Sequence, residues 1–288
     1  MKTSLLKLAA SVAVMLGMTA VQAANHPAFE VQASGQGKPM ILIPGLASPG
    51  EVWKDTVARY SSQYRCYVLS LAGFAGVPAT DGPLLQQAEE QLVQLVDAEK
   101  MDKPLIIGHS LGGFLALKTA AEHPDKVGRL VIVDTMPALM ATQAPSMTET
   151  QMKEMAAQMQ NAMQKADPAQ LESRYRSNAA TMVSKPEDIE RVAGWGMKSD
   201  QKAVANAMAE MMGTDLRSEI GRITVPTLVL GTWVAYKQYV PRPAAEAVFK
   251  LQYAKLQGVQ IELSDTSRHF IMYDDPQWMY ARIDAFLR

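Results

Sequence analysis

The stretch PLIIGHSLGGFLAL, residues 104–117, sets a serine between glycines where one apolar run stops and another begins. Ser110 can be read in two ways. Serine is a favoured helix N-cap, because its hydroxyl accepts a hydrogen bond from a first-turn amide. It can equally be a nucleophile. The chain must then also supply a base, an acid to hold the base, and N–H donors for a developing negative charge.

Working outward, short β-rich runs alternate with longer helical patterns. PMILIPG (39–45), RCYVLSL (65–71), PLIIGHS (104–110), RLVIVDT (129–135), PTLVLGT (226–232) and VQIELSD (259–265) read as strands. They are continuously apolar, as parallel strands covered on both faces are. Residues 49–63, 84–99, 111–124 and 241–256 carry helical spacing between them. This alternation predicts the α/β class: an open, mostly parallel sheet flanked by helices and joined by right-handed crossovers.

The interval 137–218 breaks the rhythm, with no strand-like run and 11 of the 19 methionines. It reads as a helical cap inserted between two core segments, 24–136 and 219–288. Met147, Met152, Met155, Met159 and Met163 recur mostly at three- and four-residue steps. Such a stripe packs cap on core, and flexible side chains such as Met155 and Met159 are also candidates to line an apolar pocket.

A chain of 288 residues can bury one large core with a smaller appended unit. Its 48% hydrophobic and 20% charged residues exclude a disordered protein. A net charge of −1 without a dense Lys/Arg run argues against nucleic-acid binding. The N-terminus runs from MKTSLLK through LAASVAVMLGM to TAVQAAN, the layout of a secretory signal peptide over residues 1–23, with the cut after Ala23. The apolar run is shorter than the ~20 residues needed to span a bilayer, so no stable membrane anchor is expected after cleavage. Loss of Lys2 and Lys7 shifts the net charge from −1 to −3. The expected location is the periplasm or the exterior. Cys66 is the single cysteine, which excludes an intramolecular disulfide and reads as an inert core thiol.

GHSLGG contains Gly108-x-Ser110-x-Gly112, the pattern of a strained strand-to-helix turn that projects a serine past small neighbours. With an apolar strand before it and a helix after it, the chain resembles the α/β-hydrolase superfamily through most of its mature length. The resemblance implies an α/β-hydrolase fold with Ser110 as nucleophile. ILIPGLASPGEVW is similar to the family's oxyanion-loop segment, with Pro44 where histidine is usual. That implies the backbone N–H groups of Leu46 and Leu111 as oxyanion donors.

Only four histidines can supply the base. His26 follows the cleavage site, His123 precedes Pro124 at a helix end suited to capping, and His109 lies within the elbow, directed away from the serine. His269 remains, after the last strand and before a closing helix, where the superfamily places its catalytic histidine. The acid often stands about three residues past the glycine of the strand PTLVLGT, but that position is Val234, and no carboxylate follows before Glu246. Part of the superfamily instead uses the end of the strand after the nucleophile helix, where Asp134 stands. Asp215 at the cap exit is the other candidate, while Asp265, Asp274 and Asp275 read as strand-end and turn residues. Trp233 and Tyr236, in the vacated acid loop, are candidates for the pocket wall, and LAGFAGVPA (71–79) resembles a loop that borders it.

The resemblance thus implies Ser-His-Asp hydrolysis of small or medium apolar acyl or aryl esters through an acyl-enzyme. It calls for no cofactor, and the histidines are too few and scattered for a metal centre. The same triad serves lactonases, amidases or peptidases, C–C hydrolases and acyltransferases, which the fold does not separate. A non-catalytic binding protein, the contrasting class, usually lacks the serine or the histidine. Oligomeric state is left open by the sequence.

Overall fold

The continuous apolar runs become the interior of one sheet. A computed structural model describes residues 19–20, 26–142 and 144–288; the proposed signal peptide, apart from Thr19 and Ala20, lies outside them. The strands are β1 (Thr19–Ala20), β2 (Phe29–Gly35), β3 (Lys38–Ile43), β4 (Tyr64–Leu71), β5 (Leu105–His109), β6 (Arg129–Val133), β7 (Thr227–Thr232) and β8 (Gln260–Ser264). Their order across the sheet is β1-β2-β4-β3-β5-β6-β7-β8. From β4 to β8 every pairing is parallel, whereas β2 pairs antiparallel with both β1 and β4. All six expected strands are present. β2 was not expected, because only Phe29 and Ala33 of it are buried while Glu30 and Gln32 are exposed, so it lacks a continuous apolar run.

Period-two alternation distributes the strands between two cores. Ile41 and Ile43 of β3 join the side chains of α2 (Leu84–Ala98), α3 (Leu111–Glu122) and α8 (Arg242–Gln252) on one face. Met40 and Leu42 point the other way, toward α1 (Lys54–Tyr60) and, with α9 (Ile271–Asp274) placed just before it, α10 (Pro276–Leu287). Cys66 is buried on that second side, and burial pushes its thiol up to about 11.

Between β6 and β7 the chain forms α4 (Glu149–Gln164), α5 (Leu171–Met182), α6 (Pro186–Lys198) and α7 (Gln201–Met212). α4 starts in a capping box of Thr148 and Gln151, and the Asp200 side chain accepts the N–H of Ala203 at the start of α7. α4 packs on α7 and α5 on α6. The amides of Gln160 and Gln164 on α4 reach Asn206 of α7 at 2.8 and 3.1 Å.

Two further ties fix these helices on the rest of the molecule. Ala75 N–H donates to Ser199 Oγ at 2.8 Å, and Asp200 N–H donates to Gly73 O at 2.8 Å, so the 71–79 loop grips the α6–α7 corner. Glu210 of α7 accepts the N–H groups of Leu84 and Leu85 at 2.9 and 3.0 Å. These are first-turn donors of α2, whose own N-cap, Pro83, has no side-chain acceptor to offer. Burial raises the Glu210 carboxyl above its ordinary value, against the pull of those amides. Among the described residues, no helix is long and apolar enough to cross a membrane.

Candidate active site

β5 ends at His109 and α3 begins at Leu111, so the turn between strand and helix is the single residue Ser110. It takes φ 53° and ψ −120°, a strained conformation for a residue with a Cβ, and its side chain makes no capping bond to α3. This answers the question posed by 104–117: the serine starts the helix without capping it. Its backbone is fixed instead by β6, since Ser110 N–H donates to Val133 O at 2.9 Å and Thr135 Oγ donates to Ser110 O at 2.8 Å.

The turn is crowded. A Cβ on Gly112 would collide with the carbonyl oxygens of Ile43 and Pro44, and one on Gly45 would lie 3.2 Å from Ser110 Cβ and 2.9 Å from His109 Nδ1. The close approach at Gly45 brings the Gly45–Leu46 loop against the serine. Leu111 is the first residue of α3, so its N–H has no acceptor within the helix and points from the positive end of the helix dipole.

Asp134 follows β6 with φ 48°, a left-handed conformation that Asp and Asn tolerate better than most residues. Its N–H donates to Leu230 O at 2.7 Å, and its Oδ1 accepts the Thr232 N–H at 2.9 Å. Its other oxygen, Oδ2, lies 2.6 Å from His269 Nδ1. Tyr253, fully buried, donates its hydroxyl to Thr135 O at 2.9 Å and steadies the same turn.

His269 sits in the irregular segment between β8 and α9. His109 Nε2 lies 3.1 Å from the His269 carbonyl oxygen, and the two rings are 4.5 Å apart. Burial, then the neighbouring His269, lower the His109 pKa well below 6.5, so its ring is neutral and Nε2–H is the donor. Ser110, Asp134 and His269 thus follow the carboxyl ends of the parallel strands β5, β6 and β8, at the edge of the sheet where open α/β sheets bind ligands.

Residues 40–282 match the alpha/beta hydrolase family. The chain belongs to this family. One similar protein, "Putative carbamate hydrolase RutD" of Yersinia enterocolitica, is 26% identical over 77% of this chain and 80% of its own length. A pimeloyl-[acyl-carrier protein] methyl ester esterase of Aliivibrio salmonicida is 34% identical over 38% of this chain and 41% of its own length. Among solved structures, an esterase from Exiguobacterium antarcticum is similar with a TM-score of 0.73 at 17% identity, covering 90% of this chain and 95% of that one. At that identity the likeness concerns fold.

In this alpha/beta hydrolase the other carboxylates considered from sequence are engaged elsewhere. Asp215 is held by Arg217, through the backbone N–H at 3.0 Å and through the guanidinium. Asp265 accepts from Trp233 Nε1 at 3.0 Å and Arg242 Nε at 2.7 Å. Asp275 accepts the Trp278 N–H at the start of α10 and the Thr266 hydroxyl. Asp274 accepts from Arg268 and Ser184.

Of the residues considered for the pocket wall, Met155 is 43% exposed, Met159 38% and Tyr236 65%. The buried positions of α4 are Met152 and Ala156. Trp233 is partly buried and packs on the α2–α3 side of the core. A groove of about 490 Å³ lies between α4, α7 and the start of α2, lined in part by Lys153, Gln160, Asn206 and Glu210, and none of its lining belongs to the Ser110 turn.

His123 is the C-cap of α3, as expected, with its N–H donating to Thr119 O at 2.8 Å. Its side chain also pairs with Glu89 at 2.8 Å, and with Glu122 these residues form a group whose ligand-type atoms lie within 4.8 Å of one another. No such gathering was expected from scattered histidines. Lys118 lies 3.9 Å from Glu89 and pairs with Glu122, so the group already carries its own cation.

Sequence reading missed His109, Thr135, Thr232 and Tyr253 as supports of the site. Thr232 acts through a backbone N–H, which any residue but proline supplies. The other three act across long sequence separations that no local pattern marks.

Proposed function

We propose that this alpha/beta hydrolase is an exported serine carboxylesterase, with Ser110 as nucleophile, His269 as base and Asp134 as the acid that orients it. The observation that carries the reading is the 2.6 Å contact between Asp134 Oδ2 and His269 Nδ1, set beside a serine that does not cap its helix. With Asp134 on Nδ1, Nε2 is the nitrogen that takes the Ser110 proton as Oγ attacks the ester carbonyl. The N–H groups of Leu46 and Leu111 stabilise the tetrahedral oxyanion, where loss of one donor typically costs about 2.7–4 kcal/mol. Collapse expels the alcohol, protonated by the imidazolium. Water activated by His269 then hydrolyses the acyl-enzyme and restores Ser110.

The substrate class is a small or medium apolar acyl or aryl ester. A relative named as a methyl ester esterase supports an ester, and residues 1–23 support action outside the cytoplasm. A second reading, cleavage of a carbamate or amide-type bond by the same residues, is favoured by the carbamate hydrolase name of the relative matched over 77% of this chain.

The test is hydrolysis of a nitrophenyl ester series, from acetate to long acyl chains, by the protein and its Ser110→Ala variant. Turnover that disappears in the variant supports the esterase, and the preferred chain length sizes its acyl site. Inactivity on every ester with Ser110-dependent turnover of a carbamate moves the assignment to the second reading. Failure of a fluorophosphonate to label Ser110 overturns both.

A further inference from the structure

The segment that carries His269 has no regular structure of its own between β8 and α9, yet a catalytic base has to be held within a fraction of an ångström of its partner. The restraint comes largely from the helical insert. Arg268 donates from its guanidinium to the carbonyls of Ala180 and Val183, the latter at 3.1 Å, at the C-terminal end of α5, where a cation also meets the negative end of the helix dipole. Phe270 N–H donates to Met182 O at 3.1 Å. Asp274 completes the clasp. Its Oδ1 accepts the Ser184 N–H at 2.9 Å, and its Oδ2 accepts the Ser184 hydroxyl at 3.0 Å and the Arg268 N–H at 2.7 Å. Val183 and Phe270 are buried in the same apolar cluster behind these bonds.

His269 therefore stands between two residues whose backbone N–H groups or side chains are bonded to the corner from α5 to α6. On its other side it meets the core through His109 and Asp134. We propose that Arg268 and Asp274 are positioning residues that make the α5–α6 corner and the His269 segment one mechanical unit, so that the seating of the insert sets the register of the base with Ser110. The proposal rests on the serine hydrolase reading.

The test compares wild type with Arg268→Met, Arg268→Lys and Asp274→Ala. It measures kcat and KM on a nitrophenyl ester, the rate of fluorophosphonate labelling at Ser110, and thermal unfolding. Arg268→Met is expected to lower kcat and the labelling rate together by about tenfold or more, with KM changed much less, since misplacement by about 1 Å can cost about a hundredfold. Arg268→Lys recovers part of both. The double variant Arg268→Met/Asp274→Ala loses no more than the worse single one, because the two residues hold one unit. The low-field proton resonance of the His269–Asp134 hydrogen bond, observed on the folded fraction, is expected to broaden or vanish in Arg268→Met. Wild-type labelling and kcat in Arg268→Met overturn the clasp while leaving the hydrolase reading intact. A loss that tracks only the unfolded fraction, with an unchanged resonance, overturns it as well. An unlabelled wild type overturns the hydrolase reading and the clasp together.

Discussion

Asp134 and His269 meet across 135 residues of sequence, with Oδ2 2.6 Å from Nδ1, while the Thr232 N–H anchors the opposite carboxylate oxygen at 2.9 Å. One oxygen fixes the aspartate to the sheet and the other fixes the imidazole to the aspartate. Asp134→Asn retains the shape and tolerates the φ of 48°, yet an amide in place of the carboxylate no longer stabilises the imidazolium and can favour the wrong tautomer. We expect kcat to fall by about 10³–10⁴ with little change in Tm, checked by ester kinetics alongside thermal unfolding. A variant within tenfold of wild type would remove Asp134 from the proposed triad.

Ser110 is half-buried and holds an unfavourable backbone, with φ 53° and ψ −120°. Replacement by alanine keeps that strain, whereas glycine relieves it. Ser110→Gly is therefore expected to be more stable than Ser110→Ala by up to about 1 kcal/mol, after the greater freedom of glycine in the unfolded chain is subtracted. Both should be inactive. Calorimetry on the pair reads the difference, and an alanine variant that is the more stable would show that the turn is unstrained.

Cys66 lies inside the core with its thiol pushed up to about 11 by burial. At neutral pH almost no thiolate is present to react. A disulfide reagent should modify the native protein only as fast as it unfolds, and adding denaturant should raise the rate in step with the unfolded fraction. Rapid stoichiometric labelling without denaturant would contradict this.

His109 gives stability a defined dependence on pH. Burial first, and the adjacent His269 second, hold its folded-state pKa well below the ordinary 6.5. As the pH falls through about 6.5, the unfolded chain takes up this proton before the folded one does. The folded state is thus favoured fully above that value and loses up to about 1.4 kcal/mol per pH unit below it, until the folded imidazole also protonates. His109→Gln keeps a donor for the His269 carbonyl but removes the titration. The urea midpoint of that variant should vary less between pH 6.5 and 5 than that of wild type, and parallel curves would argue against a neutral His109.

The parts of this molecule legible from sequence are those written in local pattern. Ser110 is flanked by glycines that close packing demands, and the central strands are continuous apolar runs because both their faces are covered. β2 escaped notice because its outward residues, such as Glu30 and Gln32, interrupt the apolar run. For α4, periodicity indicates which residues share a face without indicating which face is covered: Met152 and Ala156 are buried, whereas Met155 and Met159 are exposed. The support of Asp134 by a Thr232 amide and of His269 by Arg268 and His109 leaves no local mark, since those contacts depend on how distant segments meet.

Glu210 ties the modularity of the protein to one carboxylate. Its helix, α7, supplies the acceptor for the Leu84 and Leu85 amides, because Pro83 has none to give. A graft that removes residues 137–218 would leave the first turn of a core helix with bare donors against the place where Glu210 had been. Any exchange of inserts in this scaffold therefore has to bring its own carboxylate to that turn, or rewrite Pro83 as a residue that can cap the helix itself.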